Sequence, residues 1–310
     1  MAQTTSMPGP LAVQLESLAC ELRLHIVKMM GAGRAHHFGG SLSAADIVTA
    51  VFFWKMKYDP RQPFWEDRDR FLMSKGHCVA AHYAALAMSG VIPVEELATF
   101  KKIGSRLQGH PAMHKTPGLE GCTGSLGQGL SYANGLALSS RLAGKSYRVY
   151  CLLGDGELHE GQVWEAAMTS STWSLDNLVA IIDRNGLKAM DSPESSKELE
   201  PLEDRWLSFG WAVKSIDGNN MPSICDALEW AETAKGRPSV IIARTTKGRG
   251  VSFMENQACY HNAEITEEQY EAALAELQAR ADSLRRACPG NESADSRSVW
   301  QNIVRAGEST

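Results

Sequence analysis

The chain has 310 residues, 44% of them hydrophobic and 22% charged, with a formal net charge of −5 at pH 7. This is soluble globular composition, long enough for one large domain, and its mild acidity argues against nucleic acid or a membrane surface as partner; any anion site must be local. No apolar run reaches transmembrane length, Met1–Pro10 lacks a signal-peptide core, and the seven scattered cysteines contain no CxxC pair, which points away from disulfide or zinc frameworks and towards a reducing cytoplasm.

Leu11, Leu15, Leu18, Leu22, Ile26 and Met29 fall at helical spacing and predict an amphipathic helix to about Met30, ended by Gly31 and Gly33. Cys20, like Cys151 and Cys225 further on, lies in an apolar context and reads as a buried free thiol. In Ala35–Asp46, Gly39 and Gly40 predict a loop, with Ser43 as N-cap of a helix through Trp54. Arg68–His77, RDRFLMSKGH, reads as a short loop entering a helix that carries Val79, Tyr83, Leu86 and Ala87. A lysine and His77 at a helix start suit an anion, since free N–H groups and the helix dipole add to their charge; a solvated cap is the plainer alternative. His82, inside that helix, reads as a packing residue.

Gly109-His110-Pro111 follows a polar loop. Thr123–Gly129 then opens a helix of small residues, including Ala133, Gly135 and Ala137. Each glycine there weakens an isolated helix by about 1 kcal/mol relative to alanine. Close approach to a cofactor, or packing across a subunit interface, could compensate. The run fits neither GxGxxG nor GxxxxGK[ST].

Gly154–Leu187 carries the chemistry. Apolar runs Val149–Leu153 and Leu178–Ile182 stop at turn residues, and Gly161–Trp173 has the length of a crossover helix. The unit reads as β-α-β, with Asp155 and Asn185 at the carboxyl ends of two parallel strands, where open α/β sheets bind ligands. A carboxylate and an amide carbonyl are hard ligands suited to Mg2+, Leu187 can add its main-chain carbonyl, and Gly156 and Gly186 let backbone approach a phosphate. Ordinary strand-end turns remain the alternative. Glu157 fits a solvated helix start. Beyond come a polar stretch, Asp191–Glu200, expected to be a loop beside the site or a flexible excursion, strands at Trp211–Val213 and Val240–Ala243, and a helix over Ile224–Lys235. Thr266-Glu267-Glu268-Gln269 is a capping box opening a helix with Tyr270, Leu274, Leu277 and Leu284 on one face. The expected fold is α/β, a parallel sheet flanked by helices, with one domain over 1–287 and a polar tail over 288–310 that is free to be disordered.

GDG followed by Asn185 resembles the thiamine-diphosphate fingerprint, and GDGELHEGQVWEAA resembles the transketolase family in particular. RDRFLMSKGH, TGSLGQG, TTKGRGVSFMEN and Gly39–Asp46 extend the resemblance from about Leu11 to Leu284. It implies a diphosphate-binding (PP-type) thiamine-diphosphate fold. Asp155, Asn185 and the Leu187 carbonyl then hold Mg2+, with Ca2+ or Mn2+ able to substitute. Gly156, His77, Gly124, Ser125, Leu126, Lys247 and His261 hold thiamine diphosphate, and Glu160 joins a network linking paired sites. His37, His110 and His261 act as catalytic residues on the sugar hydroxyls. The family reads Gly and Pro where this chain has His36 and Phe38; His36 is either a solvent-exposed substitute or, with Phe38, reshapes the substrate mouth. Tyr260-His261-Asn262 stands for the family's Trp-His-Gly, a mild change because Asn tolerates left-handed backbone. His159 matches no family role.

The resemblance covers a transketolase's N-terminal half. It implies ketol transfer from a ketose phosphate to an aldose phosphate, and a separate C-terminal subunit with the pyrimidine-binding domain, in an α2β2 heterotetramer that this chain alone cannot replace. Pentose-phosphate ketoses are the expected substrates; branched apulose phosphate or a sulfonated ketose is the alternative. The remaining readings are the α subunit of a 2-oxoacid dehydrogenase and a non-catalytic regulatory subunit.

Overall fold

The computed structural model describes residues 9–187 and 199–287. The tail 288–310 and most of the Asp191–Glu200 stretch lie outside the described residues. Five parallel strands form the centre: β1 (Arg70–Met73), β2 (Val149–Gly154), β3 (Leu178–Arg184), β4 (Ala212–Asp217) and β5 (Ser239–Arg244), in spatial order β1-β2-β3-β5-β4. Strands alternate side chains between faces, and here both faces are covered. Tyr150, Leu152, Val179, Ile181 and Ile241 pack on one side with helices α1 (Gly9–Met30), α3 (Ala45–Ala50), α4 (Val79–Ser89), α8 (Met221–Thr233) and α9 (Glu267–Ala287). Cys151, Leu153, Ala180, Ile182 and Val240 pack on the other with α5 (Gln128–Leu142), α6 (Gly161–Thr172) and α7 (Leu202–Ser208). Burial on both faces is why these strands read as continuous apolar runs. The expected parallel sheet flanked by helices is present.

The predicted α1, the β-α-β unit β2-α6-β3 and α8 are found where expected, and Cys20, Cys151 and Cys225 are buried. The capping box closes as read: Thr266 N–H donates to Gln269 Oε1 (3.0 Å) and Gln269 N–H to Thr266 Oγ1 (3.2 Å). His82 is wholly buried in packing, edge-on to Phe71.

Two local expectations are corrected. Phe38–Ser43 is a short helix, α2, rather than a loop. Its glycines serve close packing: a Cβ on Gly40 would lie 2.7 Å from Cys78 Sγ, too near for any side chain. Ser43 is therefore the last residue of α2 and not an N-cap; its hydroxyl donates to Asp183 Oδ2 at 2.5 Å. The second correction is β1, read as loop. It is only four residues long and begins with an arginine, whose guanidinium lies 4.3 Å from the centre of the Tyr147 ring. In the small-residue helix α5, Gly129 is required by contact within this chain, since a Cβ there would meet Ser74 Oγ at 2.1 Å.

Candidate active site

The carboxyl ends of neighbouring strands β1, β2, β3 and β5 open onto a cavity of about 570 Å³. β2 ends in Asp155 and Gly156, and β3 runs through Asp183 to Asn185 and Leu187. The turn after β1 carries Lys75 and His77, and the loop after β5 carries Lys247. All of these except Asp183 line the cavity, with Gly124 and Leu126 ahead of α5 and the imidazoles of His37, His110 and His261. Strand order gathers the groups after β1, β2, β3 and β5, and the segments before α2, α5 and α9 bring in the rest.

Asp155 is only 8% exposed. Its Oδ1 accepts from Gly156 N–H (2.8 Å) and its Oδ2 from Gly186 N–H (2.7 Å). Burial, and then the neighbouring Asp183 carboxylate, still push its pKa up, although Lys75 opposes them. Such a carboxylate favours an added cation. Asn185 Oδ1 accepts from Leu187 N–H at 3.2 Å, and Leu187 O accepts from Lys247 Nζ at 2.8 Å. Among the described residues no group of three or more His, Cys, Asp or Glu could hold a metal. A cation here would rely on one carboxylate, neutral oxygens of Asn185 and Leu187, and ligand oxygens, which is how Mg2+ is ordinarily held. The donor set fits.

Lys247 Nζ also lies 3.3 Å from His261 Nδ1, and burial lowers the lysine's pKa. The imidazoles form a cluster. His37 stands 5.0 Å from His77, 5.5 Å from His261 and 6.5 Å from His110, ring centre to ring centre, and His77 stands 5.1 Å from His261. Burial first, then the adjacent imidazoles, hold His37 down at about 3, and burial with the nearby lysines holds His77 and His261 at about 4. His110 is lowered in the same sense. All four are neutral at pH 7, able to donate from one ring nitrogen and accept at the other.

At the cavity floor a buried ion pair takes up Lys75, the lysine that the sequence suggested for an anion. Lys75 is 2% and Asp183 0% exposed. Lys75 Nζ donates to Asp183 Oδ2 and to Gly40 O, while Ser43 and Thr245 also donate to Asp183. Burial pulls the lysine's pKa down, but the Asp183 carboxylate outweighs it and the net shift is upward. The pair ties α2, β1, β3 and β5 together behind the site. Its sequence signal is faint: an aspartate closing the apolar run Leu178–Ile182, and a lysine just after a stretch that reads as loop.

Of the two glutamates after GDG, the first is placed otherwise than expected. Glu157 is 2% exposed, not solvated: it accepts from Ser74 Oγ (2.5 Å), Gly127 N–H (2.9 Å) and Gly154 N–H (3.1 Å). Glu160 is exposed and does not line the cavity; it packs beside Gly127. Ser125 is likewise exposed and outside the lining. His159 does line the cavity, with Nδ1 3.0 Å from Gly156 O. His36 is neither solvent-exposed nor at the mouth. It is 4% exposed, pairs with Ala263 through backbone N–H (2.9 Å), and stands edge-on to Phe38 and tilted against Phe100. Phe38 is fully buried. The two departures from the family wording are core contacts.

Comparison with known proteins finds relatives over most of the chain. The family described as "Transketolase, thiamine diphosphate binding domain" matches residues 16–282. The chain is 45% identical over 258 residues to the 6-deoxy-6-sulfo-D-fructose transketolase subunit of Clostridium sp. (strain MSTE9), covering 83% of this chain and 93% of that subunit. It is 41% identical over 277 residues to an apulose-4-phosphate transketolase subunit of Phocaeicola vulgatus, covering 88% and 98%. Transketolase of Homo sapiens is 38% identical over 91% of this chain, but only 45% of that enzyme is covered. Among solved structures, the transketolase of Campylobacter jejuni superposes with a TM-score of 0.77 at 29% identity, over 96% of this chain and 49% of that one. The chain thus spans about half the length of these single-chain relatives.

Proposed function

The chain belongs to the transketolase family as a thiamine-diphosphate-binding domain, and on that premise we propose that it is the diphosphate-binding subunit of a two-subunit transketolase. The observation that carries this is the convergence of Asp155, Asn185 and Leu187 with four neutral imidazoles on one cavity. Asp155, Asn185 Oδ1 and Leu187 O would hold Mg2+. Gly156, Gly124, Leu126, His77 and Lys247 would face the diphosphate. Ser125 and Glu160, both at the exposed rim, are assigned to the face that a second subunit covers. When bound, thiamine diphosphate would supply the carbon nucleophile that carries the two-carbon unit. His37, His110 and His261 would hydrogen-bond the sugar hydroxyl oxygens and take or return protons there, a task suited to imidazoles that stay neutral at pH 7.

We infer a C-terminal partner with the pyrimidine-binding domain, from the subunit naming of relatives that this chain covers almost end to end. An α2β2 assembly in the cytoplasm is the proposed setting. Among the described residues, no helix is long and apolar enough to cross a membrane. A domain over 1–287 is proposed to carry the whole of this chain's share of the site. Pentose-phosphate ketoses remain in the reading, but apulose phosphate or a sulfonated ketose is favoured by the names of the two-subunit relatives just described.

The test is a panel of ketose donors and aldose acceptors on the chain co-expressed with its partner. Ketol transfer from at least one phosphorylated or sulfonated ketose is expected. Decarboxylation of 2-oxoacids without ketol transfer would move the chain to the dehydrogenase class. An assembled pair that binds no thiamine diphosphate would make it a non-catalytic subunit.

A further inference from the structure

Arg23 in α1 and Asp46 in α3 are 6% and 7% exposed, charged, and unused by the proposed chemistry. They form a two-pronged ion pair, both N–O distances being 2.8 Å. They line a second cavity, of about 370 Å³, that shares no lining residue with the first. Asp46 Oδ2 also accepts from Asn219 Nδ2 at 2.9 Å, and Asn219 Oδ1 accepts from the Thr246 backbone N–H at 2.8 Å. Thr246 directly precedes Lys247. Three residues beyond the lysine, Gly250 has a φ of +94° and lies so close to Arg23 that a Cβ there would be 3.1 Å from Arg23 Cδ. On its other side the same loop is held by Gly248 N–H donating to Gly39 O at 3.0 Å.

Burying an ion pair is expensive, and well-packed apolar residues often stabilise as well or better. What this pair adds is direction. The fork fixes the Asp46 carboxylate, the carboxylate fixes the Asn219 amide, and the amide fixes the peptide beside the lysine. We propose that Arg23, Asp46 and Asn219 are positioning residues for Lys247, holding its ammonium between Leu187 O and His261 from the side of the loop away from the active site. This rests on the place of Lys247 in the cofactor site proposed above.

The test is a double-mutant cycle on the full chain in complex with its partner subunit. The readout is the Kd for thiamine diphosphate at saturating Mg2+, measured by calorimetry. Asn219→Ala should raise Kd about tenfold, within the range of coupling between contacting residues, yet add almost nothing in a Lys247→Ala background. Arg23→Lys keeps the charge but loses the fork; it should show a smaller loss of the same kind while still unfolding in one cooperative melt above the assay temperature, which separates positioning from failure to fold. A wild-type Kd in Asn219→Ala, or an equal loss with and without Lys247, overturns the positioning role alone. A wild-type Kd in Lys247→Ala overturns the placement of Lys247 itself, and the relay with it.

Discussion

Replacing Glu157 tests whether the turn that presents Asp155 is held from beneath. The carboxylate takes two backbone N–H groups and one hydroxyl, from residues 74, 127 and 154. Gly154 N–H adjoins Asp155, and Gly127 N–H adjoins the run Gly124–Leu126. Alanine leaves three buried neutral donors without this partner, at about 1–3 kcal/mol each before relaxation, so a loss of about 3–5 kcal/mol is expected. Glutamine keeps one carbonyl oxygen but turns an NH2 towards a donor. Against that, burial raises the Glu157 pKa despite its three hydrogen bonds, so its ionised form is incompletely compensated and a neutral amide recovers part of the loss. About 1–2 kcal/mol is expected for Glu157→Gln. Reversible urea unfolding of the full chain, with the slope checked for constancy, reads both variants. Thiamine-diphosphate affinity in the assembled enzyme should fall in the same order. Stability of Glu157→Ala within about 0.5 kcal/mol of wild type, the range of an ordinary surface change, refutes the reasoning.

Burial alone pulls His82 down to about 3 from 6.5, and among the described residues neither ring nitrogen has a partner. The unfolded chain protonates this residue below pH 6.5 while the folded chain does not, so its contribution is intact above pH 6.5 and lost as pH falls towards 3; about 2 kcal/mol is lost by pH 5. His82→Leu should flatten that part of the stability–pH curve, and an unchanged acid slope in urea titrations contradicts it. Lys75→Met strands Asp183 in the interior and should cost about 3–5 kcal/mol, whereas a paired apolar replacement of both should cost much less; equal losses in single and double variants would show that the pair does not act as one. Thr266→Ala removes one arm of the capping box on α9 and should lower stability by about 1 kcal/mol in the same assay.

What could be read from sequence was what local pattern controls. Buried strands β2 and β3 announce themselves as apolar runs ending in turn residues, and the ligand edge follows from their parallel pairing. The Thr266–Gln269 box is closed by neighbours three residues apart and was legible for the same reason. Glu157 and Glu160 look alike in sequence, two acids at a helix start. Which one is buried depends on Ser74, 83 residues earlier, and on Gly127, neither of which local pattern can bring near. Gly39 and Gly40 signal a loop until Cys78 and Lys247 are seen pressing against them. His36 beside Phe38 looks like a change at the mouth, yet its ring is held by Phe100, from a distant loop. Strand β1 was missed because four residues starting with arginine carry too little apolar signal.

The most direct test of a metal–diphosphate half-site is calorimetric titration of thiamine diphosphate into the assembled enzyme, with and without Mg2+, for wild type and Asp155→Ala. Binding that requires Mg2+ in the wild type and disappears in Asp155→Ala is the expected result. Equal binding with and without Mg2+, or wild-type affinity in Asp155→Ala, would contradict the assignment of the Asp155, Asn185 and Leu187 oxygens.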